Sequence, residues 1–214
     1  MSENDNMFKI IALGDSKVGK TSIMRRFTHG IFYEENLPTI GLGFSFKKVT
    51  VKDGTKIKLK LIDTAGQEKF RSLAKSYYKN AEGVLFVFSY DDKNSFDHIE
   101  AWLNEFKENC DSSKEDIPMI LVGNKCDLKS EVIDDNLIDD NLIEDLKKKI
   151  GINNFKKTSA KDNIGIDELF NELVEKMFIN YKKSSGKKHK IEQLEDHKKT
   201  KKDKKKNQCC RADT

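Results

Sequence analysis

The run GDSKVGKT, from Gly14 to Thr21, has the residue types and spacing of a loop that grips a polyphosphate. Its glycines let the backbone turn tightly, so successive N–H groups point inward, where phosphate oxygens accept them. Ser16, Lys17, Val18, Gly19, Lys20, Thr21 and Ser22 are the candidate contacts. Lys20 would reach the β- and γ-phosphates as a point charge, and Thr21 would offer its hydroxyl to Mg²⁺. A chance glycine turn before a helix is the plain alternative. It does not account for Lys-Thr in place after the second glycine, nor for the flanks described below.

Three further segments narrow the ligand. Asp63-Thr-Ala-Gly66-Gln67 pairs a carboxylate that can hold Mg²⁺ with a glycine whose N–H is open to a γ-phosphate. Gln67 follows directly, where an amide can orient an attacking water. Asn124-Lys125-Cys126-Asp127 carries a carboxylate able to accept both the ring N–H and the exocyclic amine of guanine, a donor pair that adenine lacks. The run TSAK, residues 158–161 with Ser159, Ala160 and Lys161, supplies a backbone N–H for the guanine carbonyl. Each tetrapeptide alone is ordinary loop chemistry; their order and placement are informative.

The elements that must position these loops can be read from the apolar pattern. Residues 8–13 form a short apolar run before the first loop, and residues 22–27 read as the opening of a helix. Residues 44–51 and 56–61 predict a hairpin around Asp53-Gly54. Residues 84–88 and 119–123 read as buried strands. Ile99, Trp102, Leu103 and Phe106 share one helical face, as do Ile166, Leu169, Phe170, Leu173, Val174 and Met177. Trp102 is most simply packing, and the four histidines have no metal-ligand spacing. Strand and helix alternate, and the functional segments fall at strand ends, where ligands bind in an open α/β sheet.

On these residues the chain resembles a small GTPase of the Ras superfamily, and within it the Rab family, over roughly residues 8–181. The stretches TIGLGF (39–44), GQEKFRS (66–72) and YYKNAEG (77–83) carry the closer likeness, together with paired cysteines near the C-terminus. The resemblance implies a three-layer α/β fold of the P-loop NTPase type. Its sheet would be mostly parallel and six-stranded, with one antiparallel edge strand and helices on both faces. It places Phe32 against guanine. It gives Thr39 the role of a switch threonine that binds Mg²⁺ and the γ-phosphate only with GTP present. Thr21, Thr39 and Asp63 become the metal set, Gln67 the catalytic residue, and Phe44, Ile62 and Tyr77 the effector-facing triad. An Arf-type relative would need Gly at position 2, and a Ras or Rho type a CaaX cysteine where Arg211 stands.

Several positions depart from the family pattern. Lys17 stands where a glycine or other small residue is usual, and a positive φ there would cost on the order of 1 kcal/mol. Gly43 replaces an acid, and Ile62 replaces a tryptophan, removing one flat interface anchor. The pentad IDDNL occurs twice in tandem over residues 133–142 and predicts an acidic surface loop running into a helix near residues 143–150.

Charge is segregated along the 214 residues. Residues 1–181 hold 27 basic and 31 acidic side chains, whereas residues 182–214 hold 13 basic and five acidic. The expectation is a G domain over residues 1–181 and a disordered lysine-rich tail over residues 182–214. No signal peptide and no spanning apolar run are evident. Cys110 and Cys126 read as reduced cytosolic thiols. Cys209 and Cys210 lie in a polar tail where packing cannot explain them, and the resemblance implies double geranylgeranylation, with four residues following Cys210. Neighbouring lysines would add attraction to an anionic membrane; a solubilising or nucleic-acid-binding arm is the alternative.

The resemblance therefore implies a GTP/GDP switch with Mg²⁺ and slow intrinsic hydrolysis, on the order of 10⁻⁴–10⁻³ s⁻¹. It would act as a monomer in vesicle traffic on the cytoplasmic face of an endomembrane, cycling through the cytosol and binding no nucleic acid. Expected partners are an exchange factor, a GTPase-activating protein, a GDP-dissociation inhibitor, a prenylation escort and effectors. A nucleotide-stabilised binding module with negligible turnover, a basic-tailed nuclear factor and a P-loop kinase remain as alternatives at this point.

Overall fold

In chain order the elements are β1 (Met7–Leu13), α1 (Lys20–His29), β2 (Leu42–Thr50), β3 (Lys56–Thr64), α2 (Arg71–Tyr78), β4 (Gly83–Ser89), α3 (Lys93–Asp97), α4 (Ile99–Asn109), β5 (Met119–Asn124), α5 (Asp140–Ile150) and β6 (Phe155–Lys157). Residues 166–177 form a further helix, α6. The computed structural model describes residues 7–34, 39, 41–65, 71–111, 116–128 and 138–184. Residues 178–184, also helical, belong to a second unit, in which Lys182 lies over the Phe178 ring and Ser184 Oγ donates to Tyr181 O at 2.8 Å.

The strands lie in the order β2-β3-β1-β4-β5-β6, and every pairing is parallel except that of β2 with β3. Burial explains who sits in the middle. Ile10, Ile11, Ala12 and Leu13 of β1 are all buried, as is every residue of β4. Strands apolar on both faces need a covering layer on each side. On one face Phe27 of α1 stacks on Phe170 of α6 with ring centroids 3.8 Å apart. On the other, Ile99, Trp102, Leu103 and Phe106 of α4 join Ile11, Leu13 and Phe86 in a single cluster. Each such fully buried side chain contributes roughly 1.5–3 kcal/mol.

The expected architecture is therefore present, including the antiparallel edge strand. The hairpin turn closes as read: Gly54 takes φ 87°, its N–H donates to Val51 O at 2.9 Å, and Thr55 N–H donates to Asp53 Oδ1 at 2.9 Å. Sheet order reverses across β1 and β4, opening a crevice beyond their carboxyl ends. The loops after β1, β3, β5 and β6 all meet there.

The second IDDNL copy differs from its expectation as a surface loop. Ile138 is buried in the cluster beneath α4 and α5, and the Asp139 carboxylate accepts from Leu142 N–H at 2.8 Å, capping α5. An aspartate ahead of a run with apolar spacing is a strong N-cap, so the helix begins at Asp140 rather than near Ile143. Lys147, Lys148 and Lys149 in the last turn complement the helix dipole. The first copy lies outside the described residues.

Candidate functional site

The phosphate loop is held open by its own backbone. Gly14 has φ 146°, and a Cβ there would stand 2.1 Å from the Val87 carbonyl oxygen on β4. Lys17 has φ 66°, the left-handed conformation its substitution for a small residue predicts to be costly. Gly19 has φ 95° and caps α1. The Lys20 ammonium donates to Gly14 O at 2.8 Å and Asp15 O at 2.7 Å, lying across the loop. Burial pushes its pKa down to about 8, against the pull of the Asp63 and Asp15 charges. A buried cation at a ring of backbone N–H groups is a strong invitation to an anion.

At the other side of Lys20 three oxygens converge. Thr21 Oγ1 donates to Asp63 Oδ2 at 2.6 Å and lies 2.7 Å from Thr39 Oγ1. Asp63 Oδ1 is buried and has no hydrogen-bond partner among the described residues. Burial raises the Asp63 carboxyl above its usual range, although the Thr21 hydrogen bond and the Lys20 and Arg25 charges act the other way. Hydroxyl and carboxylate oxygens with a spare buried acceptor fit Mg²⁺, a hard cation that prefers oxygen ligands.

The base end is built from two strand ends. Asn124 donates from Nδ2 to Val18 O at 2.8 Å, and its Oδ1 accepts from Thr158 Oγ1 at 3.1 Å. One side chain thus straps the phosphate loop to both base loops. Asp127 Oδ1 is buried without a partner among the described residues, so an acceptor stands ready for a base N–H. Lys125 takes φ 58° and pairs with Asp91 at 2.8 Å.

A cavity of about 320 Å³ runs between these ends. It is lined by the expected Ser16, Lys17, Gly19, Lys20, Thr21, Ser22, Phe32, Thr39, Asn124, Lys125, Asp127, Ala160 and Lys161, and also by Glu34, Thr64 and Leu128. Two candidate contacts fall short of it. Val18 buries its side chain, and its carbonyl is taken by Asn124. Ser159 spends its N–H on Ile164 O and its hydroxyl on Asp162 N–H, which leaves the N–H groups of Ala160 and Lys161 for a base carbonyl. Gly66 and Gln67, like Cys209 and Cys210, lie outside the described residues.

The three side chains expected to face effectors differ in exposure. Phe44 is exposed and its ring lies 5.3 Å from that of Tyr77, but Ile62, directly across the β2–β3 pair from Phe44, is fully buried. A branched aliphatic side chain is short enough to sink into the cluster shared with Ile11 and Tyr78. Lys60 lies over the exposed Phe44 ring at 4.5 Å and the half-buried Tyr77 ring at 5.8 Å.

Arg26 was missed by sequence reasoning. From α1 it donates to Ala160 O at 2.8 Å, Lys161 O at 2.9 Å and Gly30 O at 2.7 Å, with its guanidinium 5.9 Å from the Phe32 ring centroid. It fixes the loop carrying the spare N–H groups. Its position on the turn after Lys-Thr was the only signal. Arg26→Met keeps the aliphatic stem and loses three charge-assisted bonds. Release of a fluorescent GDP should become about tenfold faster, read by stopped flow.

Comparison with known proteins agrees with this geometry. The Ras family profile matches residues 9–179. Rab-18 of Lymnaea stagnalis is 42% identical over 171 residues, covering 79% of this chain and 79% of that protein. Rab-13 of Mesocricetus auratus is 36% identical over 184 residues, covering 85% and 84%. Rab-10 of Caenorhabditis elegans is 38% identical over 171 residues, covering 80% and 81%. With its phosphate loop, threonine hydroxyls and base acceptor lining one cavity, the chain belongs to the Ras superfamily as a Rab small GTPase, which binds GTP and GDP with Mg²⁺ and hydrolyses GTP.

Proposed function

We propose that the protein is a GTP-timed switch that regulates vesicle traffic by recruiting effectors to a membrane while the triphosphate is bound. The observation that carries this reading is the meeting of Thr39 with Thr21 and Asp63, at 2.7 and 2.6 Å along the chain of oxygens. Thr39 comes from the segment between α1 and β2, and Asp63 from the end of β3, just ahead of Gly66 and Gln67. Both segments therefore have a reason to be held at the γ-phosphate.

Thr21, Thr39 and Asp63 would hold Mg²⁺, which would supply positive charge to offset that of the phosphates. Lys20 has three N–H donors, so it can keep the Gly14 and Asp15 carbonyls and give its remaining N–H to the β- and γ-phosphate oxygens. Gly66 donates its N–H to the γ-phosphate, and Gln67 orients a water for in-line attack on the γ-phosphorus. Water's oxygen bonds to phosphorus as the bridging bond to GDP breaks, giving GDP, inorganic phosphate and a proton. Thr39 and Gly66 then lose their partner, and both segments relax. Among the described residues no arginine lines the cavity, so the triphosphate state would be long-lived until an activating protein intervenes.

Residues 1–181 form the switch, and residues 182–214 form a basic tether. Prenyl groups on Cys209 and Cys210 supply the two signals a stable membrane anchor needs, on the cytoplasmic face of an endomembrane. An exchange factor, a GDP-dissociation inhibitor and a prenylation escort complete the cycle, as they do for the family. Phe44 and Tyr77 present the aromatic part of the effector surface.

The test is Gln67→Leu in the full chain. Single-turnover phosphate release should fall by about tenfold to a hundredfold, while GDP affinity stays within about twofold. Protease cleavage across residues 35–40 and 66–70 should be slower with a non-cleavable triphosphate than with GDP. Unchanged hydrolysis, or cleavage that ignores the nucleotide, sinks the switch. Negligible hydrolysis in the unsubstituted chain with and without cell extract would instead establish a binding module.

A further inference from the structure

Asp15 turns its carboxylate toward α4. Trp102 Nε1 donates to Asp15 Oδ1 at 2.7 Å, and His98 Nδ1 lies 2.7 Å from Asp15 Oδ2, where a carboxylate can only accept. Its carbonyl meanwhile accepts the Lys20 ammonium at 2.7 Å. One residue thus links the phosphate-binding lysine to a helix more than 80 positions away, the separations being 83 and 87 residues. We propose that His98 and Trp102 are positioning residues for nucleotide retention, clamping Asp15 so that the phosphate loop keeps its ligand-ready shape.

Three features support the clamp. His98 and Trp102 are four apart, so a helical turn presents both to the same place. α4 is a rigid mount, since Ile99, Leu103 and Phe106 are buried in the main cluster. And the loop needs holding: Lys17, two positions after Asp15, sits at φ 66°. A non-glycine residue in that region persists only where the surroundings over-determine it.

Simple core satisfaction explains half of this. Trp102 is buried, and a buried indole N–H takes a hydrogen bond wherever one is offered. It does not explain His98, whose side chain is 58% exposed and could be satisfied by water. The convergence of both donors on the two oxygens of one carboxylate points to the loop as the object being held.

The experiment uses the full chain loaded with fluorescent GDP and saturating Mg²⁺, with release followed after adding excess GDP. Trp102→Phe keeps the buried ring and removes the donor; release should be about tenfold faster. His98→Ala, at an exposed position where folding is not at risk, should release about threefold faster. His98→Asn, which places an amide N–H near the position of Nδ1, should return the rate to within about twofold of the unsubstituted chain. Adding Lys17→Gly to either fast variant should recover most of the loss, because the loop no longer needs to be forced. Release within twofold of the unsubstituted rate for both Trp102→Phe and His98→Ala overturns the proposal. So does acceleration in His98→Ala that neither His98→Asn nor Lys17→Gly reverses.

Discussion

Asp127→Asn should exchange the protein's base preference, lowering GDP affinity by two to three powers of ten while raising that for xanthosine diphosphate. The reason lies in one buried atom. Asp127 lines the cavity and its buried Oδ1 has no partner among the described residues, so the carboxylate has acceptor capacity in reserve. Guanine brings two donors to it, a ring N–H and an amine. An amide turns one of the two acceptors into a donor, which then faces the amine donor-to-donor. Losing two charge-assisted bonds and leaving donors unpaired costs about 3–4 kcal/mol, or some 10²–10³ in affinity. Xanthine carries a carbonyl where guanine has the amine, so the amide suits it. Competitive displacement of fluorescent GDP by the two diphosphates measures the exchange. If GDP still binds within tenfold of the unsubstituted protein, Asp127 does not read the base.

The second large effect is expected at Gly19. Its φ of 95° disfavours any side chain, and a Cβ would stand 2.2 Å from Asn124 Nδ2. That nitrogen donates to Val18 O, and the same side chain accepts from Thr158. Gly19→Ala therefore adds left-handed strain and pushes out the strap that joins the phosphate loop to the base loops. The combined cost is about 3 kcal/mol or more. Thermal unfolding should show a lower midpoint and the loss of most of the upward shift that GDP normally produces. Gly30→Ala is the matched control. It also has positive φ, at 71°, but nothing lies within 4 Å of the added carbon. It should cost about 1 kcal/mol and leave the GDP-induced shift intact.

The contrast between those two glycines shows what local sequence can and cannot say. The phosphate-loop motif already marks Gly19 as part of the site, but only its contact with Asn124, far along the chain, shows why a side chain there has no room. Lys17 is a different case. Its conflict with a positive φ was legible as a conditional, and the observed 66° makes it actual. The repeat at residues 133–142 was legible as a duplication but not as structure. Whether Ile138 is surface or core depends on the hydrophobic cluster it meets, which its own neighbours do not describe, and it is fully buried there. Ile62 is similar: the resemblance implies an effector-facing position, whereas its side chain is fully buried.

The sequence by itself determined the chemistry of the ligand and the alternation of strand and helix. Phosphate loop, metal carboxylate and base carboxylate are each encoded within a few residues, because backbone turns and point charges act at short range and fixed spacing. Strand and helix periods are likewise local. Tertiary structure alone decided how the loops are held. Arg26 reaches Ala160 across 134 positions, and Trp102 reaches Asp15 across 87. Such contacts have no spacing to recognise, since they depend on which helix face the completed sheet turns toward the crevice.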